Sequence, residues 1–296
     1  MIRRDFFRTI GAAGGAAVAA TAAATAARAD EPAGRVSDDP VGVLVDTTKC
    51  VGCRMCEFGC FHANGAANGL EHPSFDEPLT PDRNTSDKRW TVVQRHVVDG
   101  RVITVKRQCM HCQQPACTSA CLTKAMVRTP DGPVIWRGNK CMGCRYCMVS
   151  CPFDVPKFEY HSAVPRIQKC QLCFSRVAQG EQPACVASCN FGALTFGRRG
   201  NLLDEARHRI YTEPGRYVTH IYGEHEAGGT SWLYLSAVPF EQLGFRTDLA
   251  DESYPAFAKE FLYAVPLVLT LVPPLLLGLN RATARPDADA DEGGDQ

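Results

Sequence analysis

Sixteen cysteines fall into four groups of four, and each group opens with C-x-x-C and closes with C-x-x-x-C. Cys50, Cys53, Cys56 and Cys60 form the first group; Cys109, Cys112, Cys117 and Cys121 form the second. Cys141, Cys144, Cys147 and Cys151 form the third; Cys170, Cys173, Cys185 and Cys189 form the fourth. No cysteine is left over. The first and third groups read C-x2-C-x2-C-x3-C, the bacterial ferredoxin run for a [4Fe–4S] cubane, with Pro152 after Cys151. Three thiolates two residues apart on one tight loop can wrap three irons of the same cluster. The second and fourth groups stretch one interval, to four residues between Cys112 and Cys117 and eleven between Cys173 and Cys185. Such an insertion lengthens a loop without removing a ligand. The chemistry these residues imply is electron transfer through four [4Fe–4S] clusters.

Two other uses of cysteine compete with this reading. Paired C-x-x-C motifs also bind structural zinc, but zinc needs no third cysteine two residues on and no C-x3-C tail in every group. Disulfides suit an oxidising compartment, yet cysteines three apart seldom have bridging geometry, and eight bridges would leave the regular spacing unexplained.

Export is expected from the N-terminus. Arg3-Arg4-Asp5-Phe6-Phe7 precedes a weakly apolar stretch that ends in Ala27-Arg28-Ala29, the pattern of a twin-arginine signal cleaved after Ala29. Clusters inserted in the cytoplasm require a chain that crosses the membrane folded, which is the logic of that route. The whole chain has zero formal net charge. Its first 29 residues hold Arg3, Arg4, Arg8 and Arg28 against Asp5, a net of +3, so the remainder is near −3. No basic stripe points to nucleic acid.

At the other end, Phe261 to Leu279 is a nineteen-residue run without a charged side chain. As a helix it would reach ~28 Å, about the thickness of a bilayer's hydrocarbon core. Three prolines (Pro266, Pro273, Pro274) interrupt it, which membrane spans tolerate when neighbours satisfy the freed carbonyls. A transmembrane anchor over 256–280 is expected, with Arg281 and Arg285 on the cytoplasmic side and a disordered tail over 281–296. A buried core helix is the competing reading of the same run.

The elements that must position the cysteines are short. Arg89–Val98 and Arg101–Arg107 flank Asp99-Gly100, a hairpin signal, and Met126–Thr129 and Val134–Trp136 bracket a Pro-Asp-Gly-Pro turn. Val43–Asp46, Leu194–Gly197 and Trp232–Leu235 read as strands, and residues 61–88 as a long insertion loop. The stretch from Cys121 to Cys141 resembles the segment that joins the halves of a two-cluster ferredoxin. Groups two and three would then form an inner unit over 109–160. By elimination, groups one and four would form another around it, in 30–108 and 161–250.

In two-cluster ferredoxins the fourth cysteine of a run serves the other cluster, and that rule gives four ligand sets. They are Cys109, Cys112, Cys117 with Cys151; Cys141, Cys144, Cys147 with Cys121; Cys50, Cys53, Cys56 with Cys189; and Cys170, Cys173, Cys185 with Cys60. Candidate tuners beside the ligands are Lys49, Arg54, Glu57, Met110, His111, Arg145 and Lys169. His111 reads as structural or as a support to the cysteines rather than an iron ligand. His220 and His225 near Glu224 and Glu226 read as a solvated turn. No dinucleotide fingerprint, P-loop or G-x-S-x-G is present, so no catalytic residue is assigned.

The layout is similar to the four-cluster iron–sulfur subunits of membrane-bound respiratory oxidoreductases. The twin arginine, the segment IYGEHEAGGTSWLYLSAVPFEQLGF at 221–245 and the apolar C-terminal run look most like the iron–sulfur subunit of periplasmic nickel–iron hydrogenases. The resemblance implies an α+β fold of two nested ferredoxin-like units with short β-hairpins and a C-terminal transmembrane helix. It implies a non-catalytic electron-transfer subunit at the periplasmic face of the inner membrane. Its partners would be a catalytic subunit and an integral, quinone-reactive NrfD-like subunit. The alternative catalytic partner is a molybdopterin or tungsten enzyme, a formate dehydrogenase or a reductase of sulfur or nitrogen compounds.

Overall fold

A computed structural model describes residues 37–283. The expected signal at 1–29 and the tail from 284 onward lie outside the described residues. In chain order the elements begin with β1 (Val41–Asp46), α1 (Met55–Asn68), β2 (Val92–Val98) and β3 (Arg101–Arg107). Next come α2 (Ala116–Ser119), β4 (Met126–Arg128), β5 (Val134–Trp136) and α3 (Tyr146–Val149). Then follow β6 (Lys157–Phe158), β7 (Ile167–Gln168), α4 (Phe174–Ala178) and α5 (Ala184–Ala187). The chain closes with β8 (Leu194–Arg198), α6 (Arg199–Thr212), β9 (Trp232–Leu235) and α7 (Tyr254–Thr283). This is a mixed α and β fold of small sheets.

β1 is the central strand of a three-stranded sheet, antiparallel to β8 and parallel to β9. Its VGVLV run is apolar at both alternations because both faces are covered. Leu44 packs with Leu233 and Leu235 against Leu202, Leu203 and Ala206 of α6. Val43 and Val45 point the other way, with Trp232 and Tyr234, into the core that also holds Cys185. The strand entering the first cysteine group is thus paired with the strand leaving the fourth.

Three hairpins carry the rest. β2 pairs with β3 through Asp99 and Gly100, whose φ values of 48° and 74° are those of the tight turn that matches strand twist. β4 pairs with β5, and β6 with β7 in a short hairpin that the sequence pattern does not announce. The stretch 61–88 is not all loop. α1 runs from Met55 through Asn68 and ends on Gly69 in the left-handed region. Gly59 lets α1 approach α5 closely, since a Cβ there would fall 2.9 Å from the Ala184 carbonyl oxygen. Past the helix, Arg83 reaches back to Glu57 of α1 at 2.7 Å.

α7 is thirty residues long, spans ~45 Å and contains Pro266, Pro273 and Pro274. It begins and ends a few residues beyond the expected span and leaves its apolar side chains exposed. It is the one helix among the described residues long and apolar enough to cross a membrane. At its root Ser253 donates to Gln114, 2.7 Å away, just before α2.

Candidate metal centres

Each C-x-x-C turn is built the same way. The residue before the second cysteine has positive φ in all four groups: Gly52 at 74°, His111 at 48°, Gly143 at 74° and Leu172 at 51°. Two are glycines, for which this backbone is easy, and two are side-chain-bearing residues held there by burial. In the first and third groups the next residue but one, Arg54 or Arg145, is left-handed as well, and α1 or α3 starts immediately after it. Runs of this kind turn successive N–H groups inward and make an anion-binding concavity of the type found at Fe–S sites. Backbone N–H groups already approach thiols: Leu172 to Cys170 at 3.3 Å, Met126 to Cys121 at 3.4 Å and Ala184 to Cys173 at 3.5 Å.

The thiols gather around cavities. One is lined by Cys50, Cys53, Cys56 and Cys189, with Arg54 and Lys106. A second is lined by Cys60, Cys170, Cys173 and Cys185, with Lys106 and Trp232. A third is lined by Cys121, Cys141, Cys144 and Cys147, with Met142 and Arg145. The Cys112 thiol is pushed well up by burial, and then by its neighbours Cys151, Cys109 and Cys117. Four thiol quartets result, each joining three cysteines of one group with the fourth cysteine of another.

The quartets form a row. Cys56 has Cys185 as a charge neighbour, Cys170 has Cys109, and Cys117 has Cys147. Cys60, Cys109 and Cys170 share one core cluster, and Cys117 and Cys147 share another. The row therefore runs from the quartet of Cys50 to that of Cys60, then to that of Cys109 and last to that of Cys121. At its two ends Cys53 and Cys144 are exposed.

These thiols fit iron–sulfur clusters on several counts. Burial pushes Cys147 and Cys151 up to about 11 and Cys170 up to about 12, so as free thiols they are protonated at neutral pH and need a metal to become thiolates. Two buried lysines, Lys106 and Lys169, each 2% exposed, have no carboxylate partner among the described residues. Lys169 donates to the carbonyls of Val134 and Cys170. An anionic cluster is the counter-ion such ammonium groups lack.

The other candidate tuners separate. Arg54 is buried and bonded to Glu57 at 2.9 Å, and Glu57 also accepts from Arg83 and the Val93 N–H. This network braces α1 behind Cys56. Met110 is buried in the core between the sheet and the second group. Arg145 is exposed and stacks on Phe158 and Tyr160 at 5.5 and 5.7 Å. Lys49 is half-exposed beside Asp46. His111 is fully buried; its Nδ1 accepts from the Val134 N–H at 2.9 Å, and burial drives its pKa well down, so it is neutral. His220 pairs with Glu226 at 2.6 Å, and Glu226 is buried, holding the Gly223 N–H at 2.6 Å. That turn is braced from inside rather than solvated throughout. Lys106 is absent from the sequence-derived tuners because it sits on β3, three residues before Cys109. Strand alternation was the only signal that could have aimed it inward.

Comparison with known proteins bears on this geometry. Residues 101–199 match the family model described as a 4Fe-4S dicluster domain. A protein of Nitratidesulfovibrio vulgaris is 46% identical over 299 residues, covering 99% of this chain and 80% of that one. Hydrogenase-2 operon protein HybA of Escherichia coli O157:H7 is 33% identical over 288 residues, with 86% and 88% covered. The iron–sulfur subunit of nitrate-inducible formate dehydrogenase of Escherichia coli K12 is 32% identical over 204 residues, with 66% and 67% covered. The chain belongs to the family of iron–sulfur electron-transfer subunits. As an iron–sulfur subunit it carries four [4Fe–4S] clusters, and its role is electron transfer within a larger oxidoreductase.

Proposed function

We propose that the chain conducts electrons between a periplasmic catalytic subunit, a nickel–iron hydrogenase, and an integral NrfD-like subunit that reacts with quinone. The observation that carries this reading is the unbroken row of thiol quartets between exposed Cys53 and exposed Cys144. The ligand sets are those quartets: Cys50, Cys53, Cys56 with Cys189; Cys170, Cys173, Cys185 with Cys60; Cys109, Cys112, Cys117 with Cys151; Cys141, Cys144, Cys147 with Cys121. When bound, each cluster accepts and passes on one electron. The chain itself carries out no bond chemistry; its residues fix the spacing of the quartets and keep water from the inner ones.

Two nested units are the architecture this implies. β1 and β8 flank the quartets built from groups one and four, and β4 and β5 flank those built from groups two and three. The segments 30–108, 109–160 and 161–250 are read accordingly as outer, inner and outer.

The row has a direction in space. Around Cys144 lie exposed Leu122, Met142, Tyr146 and Val149, an apolar patch of the kind that marks a partner surface. α3 in this patch packs against α2, and α2 lies at the root of α7. With α7 as a membrane anchor, this end faces the bilayer and the integral subunit. The opposite end, with exposed Val51 and Phe191 beside Cys53, faces the catalytic subunit. Twin-arginine export over 1–29 would put both on the periplasmic side.

Hydrogenase is preferred over the molybdopterin or tungsten alternative on extent of similarity. The match to the hydrogenase-2 operon protein covers 88% of that protein, and the match to the formate dehydrogenase subunit covers 67% of that one. Metal analysis of the complex, purified from membranes in mild detergent, separates them. Nickel beside abundant iron is the expected result. Molybdenum or tungsten without nickel would overturn the hydrogenase reading.

A further inference from the structure

Lys106 stands between two of the thiol quartets. It lines the cavity of Cys50, Cys53, Cys56 and Cys189 and also that of Cys60, Cys170, Cys173 and Cys185. Its ammonium is held from two sides, by the Gln108 side-chain oxygen at 2.9 Å and by the face of Trp232, 4.3 Å from the ring centroid. Trp232 is itself fully buried and supported by β1. An ammonium has three N–H donors, and Gln108 is the one acceptor bonded to it among the described residues. No carboxylate forms an ion pair with it there. The Trp232 Nε1–H, in the wall of the second cavity, likewise has no protein partner.

A buried ammonium with one neutral acceptor is costly unless an anion lies close by. A cubane with four thiolates supplies that anion and gains a further negative charge on reduction. A fixed cation next to it stabilises the reduced form more than the oxidised form, which raises the potential. We infer that Lys106 is a shared counter-ion for the first two clusters of the row, raising the potential of both and weakening the repulsion between their charges. The inference rests on the ligand sets proposed above. Lys169 lies farther along, its ammonium on the carbonyls of Val134 and of Cys170 in the second quartet, so its charge falls beyond the first cluster, towards the second and third.

The test is a redox titration followed by electron paramagnetic resonance on the detergent-purified complex. Its variants are Lys106→Met, Lys106→Arg and Gln108→Glu, with iron and acid-labile sulfide measured in each. Gln108→Glu leaves the lysine in place and neutralises its charge from 2.9 Å away, so it carries the test even where Lys106→Met assembles poorly. Expected are lower midpoint potentials for two of the four clusters in Lys106→Met and Gln108→Glu, and near-native potentials in Lys106→Arg. The spin coupling between those two clusters should remain. Unchanged potentials at full iron content would overturn the role of Lys106. A shift confined to the cluster that Cys144→Ser perturbs would overturn it as well. Failure of the ligand sets reads out separately, as cysteine variants that disturb the wrong cluster.

Discussion

Cys56 and Cys60 lie one turn apart on α1, yet their thiols line different cavities, Cys56 with Cys189 and Cys60 with Cys170. A helix places residues four apart on one side, about 6 Å from each other along its axis. That separation lets one helix hold two clusters as near neighbours. The same exchange recurs at Cys121, which lines the cavity of Cys141, Cys144 and Cys147, and at Cys151, which lies beside Cys112.

Serine at Cys60 should therefore disturb the cluster held by Cys170, Cys173 and Cys185 and leave that of Cys50 and Cys53 intact. Cys121→Ser should act on the cluster of Cys141, Cys144 and Cys147. Resonance spectra of the reduced variants, compared signal by signal with the parent, check both. Loss of the cluster from the cysteine's own group in either variant would contradict the exchange.

Glu57 is the buried hub of α1, bonded to Arg54 and Arg83, both 4% exposed, and to the Val93 N–H. Removing its charge leaves two buried guanidinium groups to share one carboxylate, that of the partly exposed Glu77, at 3.5 and 3.2 Å. Glu57→Gln should cost about 3–5 kcal/mol. Thermal unfolding of the holoprotein checks this, with iron release at lower temperature as the accompanying sign. A melting temperature within a degree of the parent would contradict it.

Glu159 gives a pH dependence with a definite sign. Burial alone would raise its carboxyl, but Arg166 and Gln168 outweigh burial and hold it below 4.5. A carboxyl depressed in the folded state stabilises at pH above its unfolded value, and the benefit is lost as pH falls through the folded pKa. The parent should then lose stability below about pH 4.5 in excess of Glu159→Gln, by about 2 kcal/mol. Melting temperatures of both proteins from pH 7 to pH 3 check it; parallel curves would count against it.

Much of this was legible in the sequence because cysteine spacing is set by iron chemistry rather than by packing. The strands at Arg101–Arg107 and Val134–Trp136 could be read from turn residues alone. The helical stretch from Phe61 to Asn68 was hidden by Asn64, Gly65 and Asn68, weak helix formers held helical by packing of α1 on α5. α6 was hidden by its charges, since only Leu202, Leu203 and Ala206 of its residues are buried. Lys106 looks like an ordinary surface lysine in sequence, whereas Lys169 stands out only as the neighbour of Cys170. Only the folded chain shows that each is enclosed with an anion site beside it.

Ending the chain after Ser253 removes α7 and should leave the cluster-bearing part folded, since that helix keeps its apolar residues outside the core. The truncated protein should leave the membrane in a high-salt wash and still exchange electrons with a soluble dye. Retention on salt-washed membranes would show that partner contacts, rather than α7, hold the protein there.

The most direct test of the central claim is an iron and acid-labile sulfide count on the purified protein, with the spectrum recorded before and after dithionite. Four clusters require roughly sixteen irons and sixteen sulfides per chain and a broad absorbance near 400 nm that bleaches on reduction. A colourless protein with about four zinc ions per chain, or an iron content near half that value, would contradict a four-cluster electron carrier.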